Sequence, residues 1–572
     1  MLWICCFPFF VLDGSAIAAD ENLAAKVFVI LESKCGGCHN ATTRKGDLNV
    51  LRHSELIDGG YVVDGNLKQS DLWDRVAVSK DMPDGGPPLS AKELDAIRKW
   101  IEKGAPRFEN NPGDKRRYIP LDEIFIAIRA DLVQVPHAAR KRIRYYSIHH
   151  LHNNPELTNA DLAVFRAALS KLINSLSWNR KLHVPTTVNN TEGTILKIDL
   201  QEIGWNHNDQ WRRIEERYPY GFLPYFRNNR KAAESANDIY DWTNTKLPII
   251  RADWFVTLAA QPPLYHELLE LPRGEQSDTK LEKRLGVDVD DDLRRGVVHR
   301  AGFINSNVSL HNRVVDRHEG KNTQYYWKSY DFASSTGDRD LTLKPLGPQF
   351  QDNPFPNAAF KHDGGEIIFS LPNGLQGYLI VDNEGKRLDE APIAVVVDSE
   401  RKPLNSPVVR NGISCIACHD RGMRRFRDNL RRAHGLFGDA RKRVEELFPP
   451  KPVMDDFLIR DGQRFMKAVR AATKDFVEEL SVEPISAISE YYVRNLTLSH
   501  VAPELGEPDL KKLTTLFKSG PSFRIVGMGP LAEGGVIKRQ AWQEFGKNGY
   551  SRFHEVVELL DIGEPFRVFP DE

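Results

Sequence analysis

Four of the chain's six cysteines stand in two copies of one pattern, Cys35-Gly36-Gly37-Cys38-His39 and Cys415-Ile416-Ala417-Cys418-His419. The other two, Cys5 and Cys6, lie in an apolar N-terminal run. No cysteine is left over for a disulfide framework, so the paired thiols need another use. Two cysteines three positions apart sit about one helical turn from each other. They can bond two vinyl groups on one edge of a porphyrin, and the histidine that follows can bring its imidazole beneath the iron. C-x-x-C-H therefore reads as a c-type haem attachment. The pattern predicts two covalent haems c, with Cys35, Cys38 and His39 holding the first and Cys415, Cys418 and His419 the second. The competing assignment is one zinc ion on four thiolates. The adjacent histidines and the export signal described next weigh against it.

Residues 1–19 read as a secretory signal peptide. Leu2 to Leu12 is an apolar run, and Ser15-Ala16-Ile17-Ala18-Ala19 supplies small residues for cleavage. No Lys or Arg precedes the run, which departs from the usual layout. The expected location is periplasmic. No later stretch approaches the roughly 20 apolar residues of a spanning helix, so no integral membrane span is expected. The formal net charge of the 572-residue chain is -1, which gives no basic field for nucleic acid. The length exceeds one hydrophobic core and predicts a multidomain fold.

Around the first motif, Leu23, Val27, Ile30 and Leu31 recur at helical spacing over 21–33. Downstream, Asp81-Met82-Pro83-Asp84-Gly85-Gly86 reads as a loop. Ser90-Ala91-Lys92-Glu93 is a capping box that opens a helix through Ile101, with Gly104 and Pro106 as its stop. In this order, helix, haem motif, Met-Pro loop, helix, the loop can carry the Met82 sulfur to the open face of the iron. A soft sulfur ligand favours reduced iron and suits electron transfer.

Residues 20–106 resemble the planctomycete-type cytochrome c domain, a relative of class I cytochromes c. The resemblance rests on Cys35, Cys38, His39, Gly46-Asp47-Leu48, Trp73, Met82-Pro83 and the closing Trp100-Ile101-Glu102-Lys103-Gly104-Ala105-Pro106. It implies an all-α domain with His39 and Met82 as axial ligands, and it covers under a fifth of the chain. Such domains occur fused to larger partners, so the resemblance does not assign the rest.

Residues 107–118 read as a polar linker, and 119–345 as a mixed α/β domain. Thr158-Asn159-Ala160-Asp161 opens a helical pattern through Leu176, Thr194 to Leu200 reads as a strand, and Trp254 to Leu269 reads as a helix broken at Pro262-Pro263. Residues 346–422 read as β-rich. Glu366–Ser370 and Gln376–Val381 flank a turn at Pro372-Asn373-Gly374, and Ala394 to Val397 continues the meander up to the second haem motif. From about 423 to 572 the chain reads as α-helical. Phe360-Lys361-His362-Asp363-Gly364-Gly365-Glu366, Leu371-Pro372-Asn373-Gly374-Leu375-Gln376-Gly377-Tyr378 and Asn411-Gly412-Ile413-Ser414-Cys415 resemble a region found in other bacterial cytochrome-like proteins, a region with no established activity.

The sixth ligand of the second iron stays open between His362, His311, His318 and none. Met423 follows His419 by four residues, which on a helix puts it on the proximal side. The basic stretch from Arg424 to Arg443 reads as a solvated face, with haem propionates or an acidic redox partner as alternatives. These features predict an electron-transfer cytochrome serving an unidentified redox protein. Two other readings are a dihaem peroxidase-like oxidoreductase with an open second haem, and a ligand- or protein-binding module fused to a cytochrome domain.

Overall fold

The computed structural model describes residues 14–40, 43–106, 108, 116–207, 209–304, 311–398, 403–480 and 482–569. The run Leu2–Leu12 and most of the 107–118 linker lie outside the described residues. The chain divides into two compact units. Unit 1 is Met1–Arg117 with Pro155–Asp161, and unit 2 is Tyr118–Asn154 with Leu162–Glu572.

Unit 1 is helical. Its core joins Val27, Ile30 and Leu31 of the helix Gly14–Lys34 to Ile97, Trp100 and Ile101 of the helix Ala91–Glu102. The capping box is present: Ser90 accepts from the Glu93 N–H at 3.4 Å, and Glu93 accepts from the Ser90 N–H at 2.6 Å. Trp100 is fully buried, and its indole N–H donates to the Pro106 carbonyl at 2.8 Å. Burying that ring satisfies its polar edge as well as its face, and a truncation of this kind costs about 3–5 kcal/mol.

Unit 2 holds twelve strands among its described residues: β1 (Ile143–Ser147), β2 (Thr186–Thr187), β3 (Ile195–Asp199), β4 (Phe222–Pro224), β5 (Ile249–Arg251), β6 (His299–Phe303), β7 (Arg313–Glu319), β8 (Tyr325–Asp331), β9 (Gly364–Ser370), β10 (Gln376–Asp382), β11 (Arg387–Leu388) and β12 (Gly563–Pro565). Strands β6 to β11 form a six-stranded antiparallel meander in simple chain order. A four-stranded sheet has the order β2-β3-β1-β5, with β1 and β5 parallel. Strands β4 and β12 pair separately.

Both faces of the meander are covered, and every residue of β8 is buried. The strand charges are therefore paired. Arg300 and Asp316 meet at 2.6 Å with both side chains fully buried. Lys328 meets Asp278 at 2.8 Å and Glu282 at 3.1 Å, and Arg317 meets Asp461 at 2.9 Å. Removing one partner of such a pair strands a buried charge at a cost of about 3–5 kcal/mol.

The structure revises three expectations. The meander begins at His299, so the β-rich architecture extends well upstream of residue 346. The run 394–397 holds a turn and a single bridge residue rather than a strand, and β11 is the last strand on that edge. Residues 423–437 are irregular, and the helical C-terminal region opens with Gly438–Leu447. Arg424, Arg425, Arg427, Arg431 and Arg432 would stack like charges at helical spacing, which disfavours a helix there. Asp428 organises the segment instead, accepting from the N–H groups of Gly302, Leu430 and Arg431.

Candidate haem-attachment sites

In unit 1 the helix Gly14–Lys34 delivers the first motif at its C-terminal end. The Cys35 N–H donates to the Leu31 carbonyl at 2.9 Å, and the His39 N–H donates to the Cys35 carbonyl at 2.9 Å. Both thiols are free, with Cys35 buried and Cys38 half-buried. Burial and the neighbouring Cys38 push the Cys35 pKa up to about 11. The following loop is pinned by Asn40, which donates to the Gly36 carbonyl at 2.6 Å and accepts from the Thr43 N–H at 2.7 Å. The Val50 N–H donates to the His39 carbonyl at 3.0 Å. The His39 Nδ1 is buried without a hydrogen-bond partner, so this imidazole has unused coordinating capacity. Met82 is half-buried and packs on the same core cluster that contains Cys35, and its N–H donates to the Arg75 carbonyl at 3.3 Å. Two free thiols, an unsatisfied imidazole and a thioether around one apolar cluster fit a covalent haem.

The second motif lies on the helix Ile413–Cys418 and the turn after it. Gly412 caps that helix at φ 85°, and a Cβ there would stand 2.3 Å from the Ala260 carbonyl oxygen. Glycine is required by both the conformation and the close approach. Neither thiol is in a disulfide, and Cys415 is buried. The His419 Nδ1 lies 3.1 Å from the Gly422 carbonyl oxygen. A carbonyl only accepts, so Nδ1 carries the proton and Nε2 keeps its lone pair. Metal-ligating imidazoles are typically held by such an Nδ1–H to carbonyl bond. Burial pushes the His419 pKa down, which keeps the ring neutral. Gly422 sits at φ 97° with its α-carbon position pressed on Gly462, where a Cβ would approach to 3.1 Å.

The His419 Nε2 faces the Glu366 carboxylate at 3.9 Å. The Cys415 thiol reaches the same carboxylate, and burial together with that negative charge raises the thiol pKa well above its ordinary value. A lone pair opposite a carboxylate is satisfied by a positive centre, a proton or a metal ion. Arg313 faces Glu366 and Cys418 electrostatically and is braced by Asp331 at 2.5 Å. The Tyr378 ring lies 6.2 Å from the His419 ring, and the Tyr378 hydroxyl donates to Gln376 at 3.0 Å. These donors also fit a covalent haem. Among the described residues no group of three or more His, Cys, Asp or Glu side chains is gathered as a metal-ion site.

The histidine candidates for the far side separate by sheet face. Glu366 shares a face with Tyr378, its diagonal neighbour across the β9–β10 ladder, and with Asp331 and Arg313. His362 packs edge-on to Tyr330 at 5.0 Å, on the opposite face, and burial pushes its pKa down to about 4. His318 also lies on that opposite face, donating from Nδ1 to Asp292 at 2.8 Å and packing on Tyr326 at 5.9 Å. Neither His362 nor His318 is presented to His419. His311 is half-buried two residues before Arg313. Glu366 escaped the sequence reading. The available signal was a carboxylate flanked by Gly364-Gly365 and Ile367-Ile368, an acidic side chain inside a buried strand.

Among the described residues no helix is long and apolar enough to cross a membrane. No curated protein and no solved structure matches the chain. One family model does, described as Planctomycete cytochrome C, over residues 35–85. That match begins at Cys35 and runs through Met82. Residues 35–85 thus match a cytochrome c domain of the planctomycete type, and the match is confined to that stretch.

Proposed function

We propose that this protein is an exported, periplasmic dihaem c-type cytochrome that transfers electrons. The observation that carries the second haem is the imidazole of His419, fixed as the Nδ1–H tautomer by Gly422 with Nε2 turned toward Glu366. Haem, when bound, supplies one-electron chemistry at iron. Cys35 and Cys38 would tether the first group, and His39 and Met82 would be its ligands. Cys415 and Cys418 tether the second, with His419 proximal. Glu366 and His311 are the candidate donors on the far side. Arg421, Arg424, Arg425, Arg427 and Arg432 are exposed and offer a cationic surface to an acidic redox partner.

The test is expression in a host that matures c-type haem, followed by intact mass and reduced spectra. The expected product carries two haems, and replacing Cys35 and Cys38, or Cys415 and Cys418, by Ala removes one each. A wild-type protein with a single haem, or an unchanged count after loss of the second pair, overturns the dihaem reading. A peroxidase-like oxidoreductase is the second reading, favoured by an acid, Glu366, and a guanidinium, Arg313, on one sheet face beside the second motif. Peroxide turnover with a high-spin ferric signal from one haem distinguishes it.

A further inference from the structure

A cavity of about 240 Å³ opens in unit 2, where no motif pointed. It lies at the carboxyl ends of β1 and β5, which run parallel with Ser147 opposite Arg251. Each strand end is followed by a helix, His149–His152 after β1 and Ala252–Ala259 after β5. Crevices at the carboxyl ends of adjacent parallel strands are where open α/β sheets bind ligands.

One end of the cavity is polar. Ser147, His149, His150, Arg251 and Glu504 line it. Arg251 is clamped between Asp253 and Glu504 at 2.7 Å each, and Arg539 meets Glu504 at 2.7 Å. Two guanidinium groups against two carboxylates leave no net charge. Burial and adjacent positive charge push the His149 pKa down to about 3, and the His150 pKa is lowered as well, so neither imidazole adds charge near neutrality. The exposed Lys246 also lines the cavity, but at the buried histidine end an ionic ligand would have no counter-charge, and a neutral one avoids that penalty. His150 brings Nε2 to Asp253 at 3.0 Å. The ionised carboxylate only accepts, so Nε2 carries the proton and Nδ1 is left as a lone pair. That Nδ1 is buried without a partner, so it calls for a hydroxyl donor.

Aromatic side chains line the cavity as well, and Tyr218 and Tyr220 reach Arg251 at its polar end. Phe125 packs on Phe226 at 5.2 Å, Tyr218 on Tyr220 at 5.7 Å and Tyr220 on Phe553 at 5.2 Å, all of them lining residues. A cavity of about 150 Å³ is enough to hold benzene, so the space here suits one ring with a few substituents.

We propose that this cavity binds an uncharged monocyclic phenol, with its ring among the aromatic walls and its hydroxyl toward the histidine end. The inference does not depend on the haem count. Calorimetric titration of the full-length protein tests it, with phenol and p-cresol as probes. Anisole lacks the O–H donor, benzoate carries a charge and glucose lacks the aromatic ring. The expected result is saturable 1:1 binding of the phenols, at least tenfold tighter than that of any of these three. Phe226→Ala and Leu121→Trp alter half-buried lining positions, by opening and by filling, and each should weaken phenol binding at least tenfold. His150→Ala should bring phenol down to the level of anisole. Absence of saturable phenol binding overturns the proposal. So does binding unaffected by both Phe226→Ala and Leu121→Trp, or binding of glucose or benzoate as tight as that of phenol.

Discussion

Replacing Gly412 by Ala perturbs the proposed second haem site without touching a thiol or the histidine. The backbone there has φ 85° and ψ -83°, outside the regions an L side chain adopts comfortably. Holding a non-glycine residue in such a conformation costs about 1–3 kcal/mol. The added Cβ would also lie 2.3 Å from the Ala260 oxygen and 2.9 Å from Tyr265 Cγ. Relieving that overlap moves backbone, and overpacking of this kind costs about 1–3 kcal/mol. The two effects together amount to about 2–6 kcal/mol, a large fraction of the net stability of a folded domain. Tyr265 is also the residue whose hydroxyl accepts from the Tyr378 N–H at 2.9 Å, so the displacement passes to the wall beside His419. Urea unfolding followed by tryptophan fluorescence measures the stability change, and intact mass counts the haems. We expect destabilisation in that range with partial loss of one haem. Gly529→Ala is the control, because a Cβ at Gly529 meets nothing within 4 Å. A Gly412→Ala protein within about 0.5 kcal/mol of the wild type, carrying its full haem complement, would refute the reasoning, since changes of that size are typical of unconstrained surface positions.

Three further outcomes are expected. Met82→Ala should lower the reduction potential of one haem and leave the other unchanged, read by spectroelectrochemistry; two unaltered potentials would rule Met82 out as an axial donor. Glu366→Gln should leave both thioether attachments intact yet alter the low-temperature magnetic resonance of one ferric haem, and an identical spectrum would remove Glu366 from the far side of His419. Burial holds His149 and His266 down to about 3, and His362 and His554 down to about 4, below the ordinary value near 6.5. As pH falls below about 6.5 the unfolded chain takes up protons that the folded chain refuses, so stability falls by about 1.4 kcal/mol per pH unit for each such group. Urea midpoints at pH 7.5 and pH 5 check this, and a midpoint that holds or rises on acidification contradicts it.

The features that could be read from the sequence were local. The capping box at Ser90 and Glu93 and the strands around Pro372-Asn373-Gly374 each depend on residues a few positions apart, and both are present. The CxxCH spacing likewise carries its chemistry within five residues. What escaped depends on distance along the chain. Lys328 and Arg300 look like surface residues until Asp278, Glu282 and Asp316 supply their counter-charges. With both faces of the meander buried, its strands show no clean alternation, and the face assignment that separates His362 from Glu366 could not be made. The pairing of β1 with β5 joins segments about a hundred residues apart, so the cavity at their ends had no sequence signature.

The division of the chain has a practical bearing on how the cytochrome domain can be handled. Unit 1 is completed by Pro155–Asp161, after the chain has already laid down the helix Leu121–Gln134 and β1 of unit 2. Within unit 1, Arg52 pairs with Glu156, and Arg116 donates to the Leu157 carbonyl at 2.5 Å. During synthesis from the N-terminus, unit 1 gains its last seven residues only after part of unit 2 has emerged. A clone that stops at residue 106 or 117 omits that returning segment and its contact to Arg52. Supplying 155–161 by a short designed linker is the way to isolate the cytochrome c domain with its own surface intact.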